Sequence, residues 1–120
     1  MKKLILISTV LLLAGCAATP EKLRQSEPDL LLESTNDSKQ VADCIAEKWE
    51  SLDYLIYSPV VNYRVKDSGY QITHYIDGEL MYLADIKTTS AGSKVQVYTT
   101  SIELEFVEDK ALSSVKVCSL

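Results

Sequence analysis

Apolar residues recur along this chain in three patterns, and each pattern marks a different kind of segment. The first is a nearly unbroken run. Leu4 to Leu13 is apolar apart from Ser8 and Thr9, with Lys2 and Lys3 ahead of it and small residues behind. Spanning a bilayer core takes about 20 residues, so this run is too short to do so. A charged start, a short apolar stretch and a small-residue end predict a secretory signal peptide. The second pattern is helical. In NDSKQVADCIAEKWESLDYL, Val41, Cys44, Ile45, Lys48, Trp49 and Leu52 fall at i, i+3, i+4, i+7, i+8 and i+11. That is one stripe of a 3.6-residue helix. Asp37 or Ser38 can cap its start, and Gln40 stands three residues after Asp37, as in a capping box. Asp43, Glu47 and Glu50 occupy the opposite face. Trp49 at this spacing reads as a core anchor.

After Pro59 the period becomes two. VVNYRVKD sets Val61, Tyr63 and Val65 against Asn62, Arg64 and Lys66, and Asp67 to Gly69 reads as a turn. YQITHYI sets Tyr70, Ile72, His74 and Ile76 against Gln71, Thr73 and Tyr75. Asp77-Gly78 between two alternating runs is a strong hairpin signal. ELMYLADIKTT is apolar on both faces near Met81 to Leu83, as in a central strand, and SAGS at Ser90 to Ser93 turns the chain into KVQVYTT. Short connections predict antiparallel neighbours. The tail is ambiguous. Ile102, Leu104 and Phe106 alternate, whereas Phe106 or Val107, Ala111, Leu112, Val115 and Cys118 fit a helix. A helix over about 107–118 is favoured, with SSVKVCSL as a last strand the alternative; either places Cys118 inward. The sum is an α+β two-layer domain over 38–120, made of an N-terminal helix, a four-stranded antiparallel meander and a C-terminal helix.

Between the apolar run and the helix, the chain is polar, with Pro20, Pro28 and many charges. Residues 16–37 therefore read as a flexible tether reaching at most some 60 to 70 Å. Leu30, Leu31 and Leu32 fit a helical turn docking on the domain. Residues 1–15 are the signal peptide. The join, Leu13-Ala14-Gly15-Cys16, resembles the lipobox of bacterial lipoproteins, in which the cysteine becomes the first mature residue and carries lipid. The resemblance implies that Cys16 bears a diacylglyceryl group and an N-acyl chain such as palmitate, with the lipid bilayer as partner. Each buried CH₂ contributes about 0.8 kcal/mol, so several chains anchor effectively permanently. In enterobacterial members an Asp after the cysteine favours inner-membrane retention. Ala17 stands there, which implies an outer-membrane lipoprotein facing the periplasm. The pattern VADCIAEKW…GYQITHY…C also resembles small Gram-negative lipoproteins, often prophage- or island-encoded, and that likeness brings no activity with it.

Charge and cysteine content narrow the reading. The chain has 12 basic and 17 acidic residues; loss of Lys2 and Lys3 with the leader leaves a formal charge of −7. An acidic surface disfavours nucleic acid. Cys16 is taken by the anchor, so Cys44 and Cys118 remain as a pair in an oxidising compartment and predict a disulfide.

Candidate chemistry is sparse. His74 is the sole histidine and reads as a structural residue in a strand. No G-x-S-x-G element, metal-ligand cluster or phosphate-cradling glycine loop stands out, so no enzyme, cofactor or metal site is expected. Glu103, Glu105 and Glu108 read as a solvated acidic face. Tyrosine is the unusual residue, with seven copies, and it favours both strands and interfaces. Tyr63, Tyr75 and Tyr98 are the candidates for an interaction face on the open side of the sheet. The expected function is a non-enzymatic module that binds an envelope protein. The alternative is an inhibitor or immunity protein against a lytic enzyme or toxin, since an acidic protein suits a basic target.

Overall fold

The computed structural model describes residues 18–52, 58–100 and 109–120. The signal peptide, Cys16, the alternating Ile102, Leu104 and Phe106, and the carboxylates Glu103, Glu105 and Glu108 lie outside the described residues. In chain order the described elements are helix α1 (Pro20–Leu23), strand β1 (Leu30–Ser34), helix α2 (Ser38–Glu50), strands β2 (Val60–Lys66), β3 (Gly69–Ile76), β4 (Glu79–Thr89) and β5 (Gly92–Thr99), and helix α3 (Lys110–Cys118). The fold is α+β, with one antiparallel sheet of order β1-β5-β4-β3-β2.

The expected meander β2 to β5 is present, but the sheet has five strands rather than four. The extra strand comes from the segment read as a tether. Leu30, Leu31 and Leu32 are not a helical turn; they pair with Val97, Gln96 and Val95 of β5. Three consecutive leucines carry no alternation, so only the edge offered by β5 decides their conformation. Leu30 and Leu32 turn toward the core while Leu31 stays exposed, which is the period of two imposed by pairing.

Local chemistry explains the remaining elements. The Asp37 carboxylate caps α2 by accepting from the Gln40 backbone N–H at 2.8 Å. Asp77 and Gly78 join β3 to β4 with φ of 54° and 80°, the mirror-image turn whose twist suits a hairpin. The β3–β4 register shifts after His74: His74 faces Tyr82 but Tyr75 faces Leu80, leaving Met81 as a bulge.

The core lies between the sheet and a layer formed by α2 and α3. Val41, Ile45 and Trp49 of α2 are fully buried against Ile72, Ala84, Ile86, Val95 and Val97 of the sheet. Helix α3 adds Ala111, Leu112 and Val115. The helix is pinned at both ends. At its start Asp109 accepts from the Leu112 N–H at 3.1 Å and from the Tyr82 hydroxyl at 2.7 Å, while the Trp49 indole N–H donates to the Ala111 carbonyl at 3.0 Å. At its end Cys118 is bonded to Cys44 of α2, with the two Cα atoms 5.7 Å apart.

The cross-link closes a loop spanning 74 residues. In the chain-entropy model a closure of that size contributes roughly 4 kcal/mol, and measured values run from about 2 to 4. Replacing Cys44 and Cys118 together with Ser is expected to lower the unfolding free energy obtained from urea titration by an amount in that range, with a matching fall in the midpoint. An unchanged midpoint would show that α3 is held without the bond.

Candidate functional site

Register assigns every strand residue to one of two faces, because residues directly opposite in a ladder share a side. Tyr63 pairs with Ile72, Ile72 with Ala84, and Ala84 with Val97. This row lies on the face covered by the helices. The other face, the back, carries Asn62, Thr73, Leu83 and Tyr98 in one row and Arg64, Gln71, Asp85 and Gln96 in the next.

The three candidate tyrosines therefore do not form one patch. Tyr63 has the same parity as Val61 and Val65, and it sits on the helix side. Its hydroxyl donates to Asp43 of α2 at 2.8 Å, and its ring lies 5.5 Å from that of Tyr70. Partial burial and then the Asp43 carboxylate push its hydroxyl pKa above the ordinary range. Asp43 in turn is held below the usual carboxylate range by Lys39 and then by Tyr63. Tyr75 and Tyr98 do share the back face, but two strands apart and with no ring contact between them. Tyr98 is buried and Tyr75 is half-buried. Burial, reinforced by nearby Asp85, raises the Tyr98 pKa.

The back face is not open at its centre. The N-terminal segment crosses it, and Arg24, just past α1, reaches down to the sheet. The Arg24 guanidinium donates to both oxygens of Asp85 at 2.8 Å and to Gln71 Oε1 at 2.5 Å. A forked cation on a carboxylate is geometrically specific as well as charge-assisted. Its partners are 61 and 47 residues away in sequence, so nothing local announces it. The segment then runs into β1, where the Asp29 carboxylate accepts from the Thr99 N–H at 2.8 Å. The described part of the expected tether is thus fastened to the domain.

Two exposed features stand out among the described residues away from Arg24. The first is strand β2 at one edge of the sheet. It pairs only with β3, and Val60, Tyr63 and Val65 are 59%, 38% and 73% exposed. The second is an open groove of about 460 Å³ beside the disulfide, lined by Cys44, Glu47, Lys48, Ser51, Leu52 and Ser114. It offers one carboxylate, one ammonium and two hydroxyls, without a histidine or free thiol to activate them.

His74, the sole histidine, lies inside the core. It is fully buried, edge-on to Trp49 at 5.8 Å and to Tyr82 at 5.2 Å. Among the described residues no group of three or more His, Cys, Asp or Glu could hold a metal ion, and no helix is long and apolar enough to cross a membrane. No family model, curated protein or solved structure matches the chain.

Two measurements follow from this geometry. Arg24→Ala should free the N-terminal segment, seen as faster amide exchange over residues 20–29. The cost should be about 1 kcal/mol, a modest figure because the arginine is partly exposed. Unaltered exchange would mean that β1 pairing alone holds the segment. His74 gives a pH signature. Burial holds its pKa below the ordinary 6.5, with the Asp109 carboxylate partly opposing. The unfolded chain takes up this proton near pH 6.5 while the folded protein still excludes it. Its contribution to stability is therefore complete above about pH 6.5 and is lost as pH falls below that value. Urea midpoints across pH 5 to 8 should show the decline in the wild type, and His74→Leu should flatten it.

Proposed function

We propose that this chain is a lipid-anchored envelope lipoprotein of the outer membrane, facing the periplasm, whose domain is a non-enzymatic protein-interaction module. The anchor is acylated Cys16. The apolar run ending in Leu13-Ala14-Gly15-Cys16 supports it, since a cysteine directly after that run has no other evident purpose.

The observation that carries the interaction reading is strand β2. A seven-residue edge with apolar Val60, Tyr63 and Val65 exposed is a ready template for an extended segment of another protein. Main-chain groups would supply pairing, and the alternating side chains would supply selectivity. Tyr63 is held rigid by Asp43 and Tyr70, which lowers the ordering cost of using it as an anchor. The tyrosine contribution thus rests on Tyr63 at the edge rather than on a cluster with Tyr75 and Tyr98.

The experiment has two arms. Cells expressing Cys16→Ser should incorporate no radioactive fatty acid into the protein; continued labelling would overturn the anchor. A photo-crosslinking amino acid at position 65 should give one discrete adduct in living cells, and the same group at position 50 on α2 should give none. Equal adducts from both positions, or none from position 65, would overturn the edge as the interaction surface.

A further inference from the structure

We propose that the back face of the sheet is a docking surface for anionic phospholipid headgroups, so that the anchored domain lies with this face against the leaflet holding Cys16. The inference rests on the lipid-anchor reading above and adds an orientation to it.

The surface is a row of lysines. Lys66 pairs with Gly69, Gly69 with Lys87, and Lys87 with Lys94, so the three lysines project from one side at one end of the sheet. Arg64 stands two residues along β2 from Lys66, on the same side. Lys87 and Lys94 face each other directly across β4 and β5, a like-charge pairing that costs stability. Gly69 leaves the gap between Lys66 and Lys87 empty, because a Cβ there would collide with the Ile86 carbonyl. Glu33 lies opposite Lys94 on β1, yet none of the four cations makes a side-chain ion pair or hydrogen bond among the described residues. Edge lysines commonly guard a sheet against aggregation. That accounts for Arg64 and Lys66 on β2, but not for Lys87 and Lys94 on interior strands.

The charge stands out against a formal charge of −7 for the chain without its leader. The acidic residues Asp43, Glu47 and Glu50 lie on α2, beyond the sheet from these lysines. Among the strand residues of the back face, Arg64, Lys66, Lys87 and Lys94 outnumber the carboxylates Glu33 and Asp85, and Asp85 is already paired with Arg24.

Position selects a membrane as the occupant. Arg24 grips Gln71 and Asp85, which lie in the row next to the lysines, so the chain enters the domain over this face. Thr19 caps α1, and Cys16 precedes it by three residues, a reach of at most about 11 Å. An acyl anchor at Cys16 keeps Thr19 within that distance of headgroups, and the segment from Thr19 to Arg24 leads onto this face, which raises its effective concentration at the surface. Each lysine near an anionic surface adds roughly fivefold to association.

The test uses the processed protein purified from membranes and reconstituted into vesicles. Flotation with neutral phosphatidylcholine vesicles reports the anchor alone. A brief pulse of an amine-reactive ester, mapped by mass spectrometry, then reports the surface. On vesicles containing phosphatidylglycerol, Lys66, Lys87 and Lys94 should react at least about fivefold more slowly than on neutral vesicles. Lys48 and Lys116 on the helices should be unchanged, and high salt should abolish the difference. In a Lys66→Glu, Lys87→Glu variant that still floats, Lys94 should lose its protection. Equal rates on both lipids, or slowing of all lysines alike, would overturn the proposal while leaving the anchor intact. Equal protection by soluble polyglutamate on neutral vesicles would also overturn it, by assigning the surface to an acidic polypeptide. Failure to float at all would overturn the anchor and the orientation together.

Discussion

The packing of Trp49 is the constraint on which the rest of the architecture depends. Its side chain is fully buried between α2, α3 and the sheet, and its indole N–H must find an acceptor there because an unpaired buried donor is costly. The acceptor is the carbonyl of Ala111 in the first turn of α3, where a neighbouring helix and not the sheet supplies it. The ring sets His74 and Tyr82 edge-on or tilted beside it, and Tyr82 carries its hydroxyl to Asp109, the cap of that same helix. One aromatic side chain thus fixes the place of α3 and the rotamers of two sheet residues. The disulfide fixes the far end of α3. Loosening Trp49 would disturb the Ala111, His74 and Tyr82 contacts together, because they share groups.

Much of this order was legible where the chemistry is local. The spacing of Val41, Ile45 and Trp49 predicts α2, the Asp37–Gln40 pair predicts its cap, and Asp77-Gly78 predicts the β3–β4 hairpin; the structure contains all three. Two cysteines on inward faces predict their own bond, which the structure contains. What sequence did not disclose is non-local. Strand β1 has no alternation of its own and exists because β5 has an unpaired edge. Arg24 looks like one more charge in a polar stretch until Asp85 and Gln71 are brought under it. The misplacement of Tyr63 differs in kind. Its parity with Val61 and Val65 places it on the helix side of the sheet, so the alternation along β2 itself was the better guide.

On the helix side of the sheet, α2 and α3 carry Asp43, Glu47 and Glu50 interspersed with Lys39, Lys48, Lys110 and Lys116. On the back, the basic row places Lys87 and Lys94 in register. An anion lying across such a pair would offset its repulsion. The location of the row beside the entering chain gives that anionic neighbour a geometric reason to be present.

Fastening the N-terminal segment also changes what an anchor at Cys16 can do. A free tether of about 20 residues would let the domain sample a wide shell above the bilayer and meet partners in any orientation. With α1, Arg24 and β1 held on the domain, an anchor at Cys16 would leave the domain mainly rotation close to the surface. A back face drawn to headgroups would remove most of that rotation. The helices would then point away from the membrane, and edge strand β2 would lie roughly in the plane of the leaflet. An edge so placed is reached by an extended segment running along the membrane surface more readily than by one descending from above. The same contacts that turn a tether into structure would therefore restrict which partners the edge can meet.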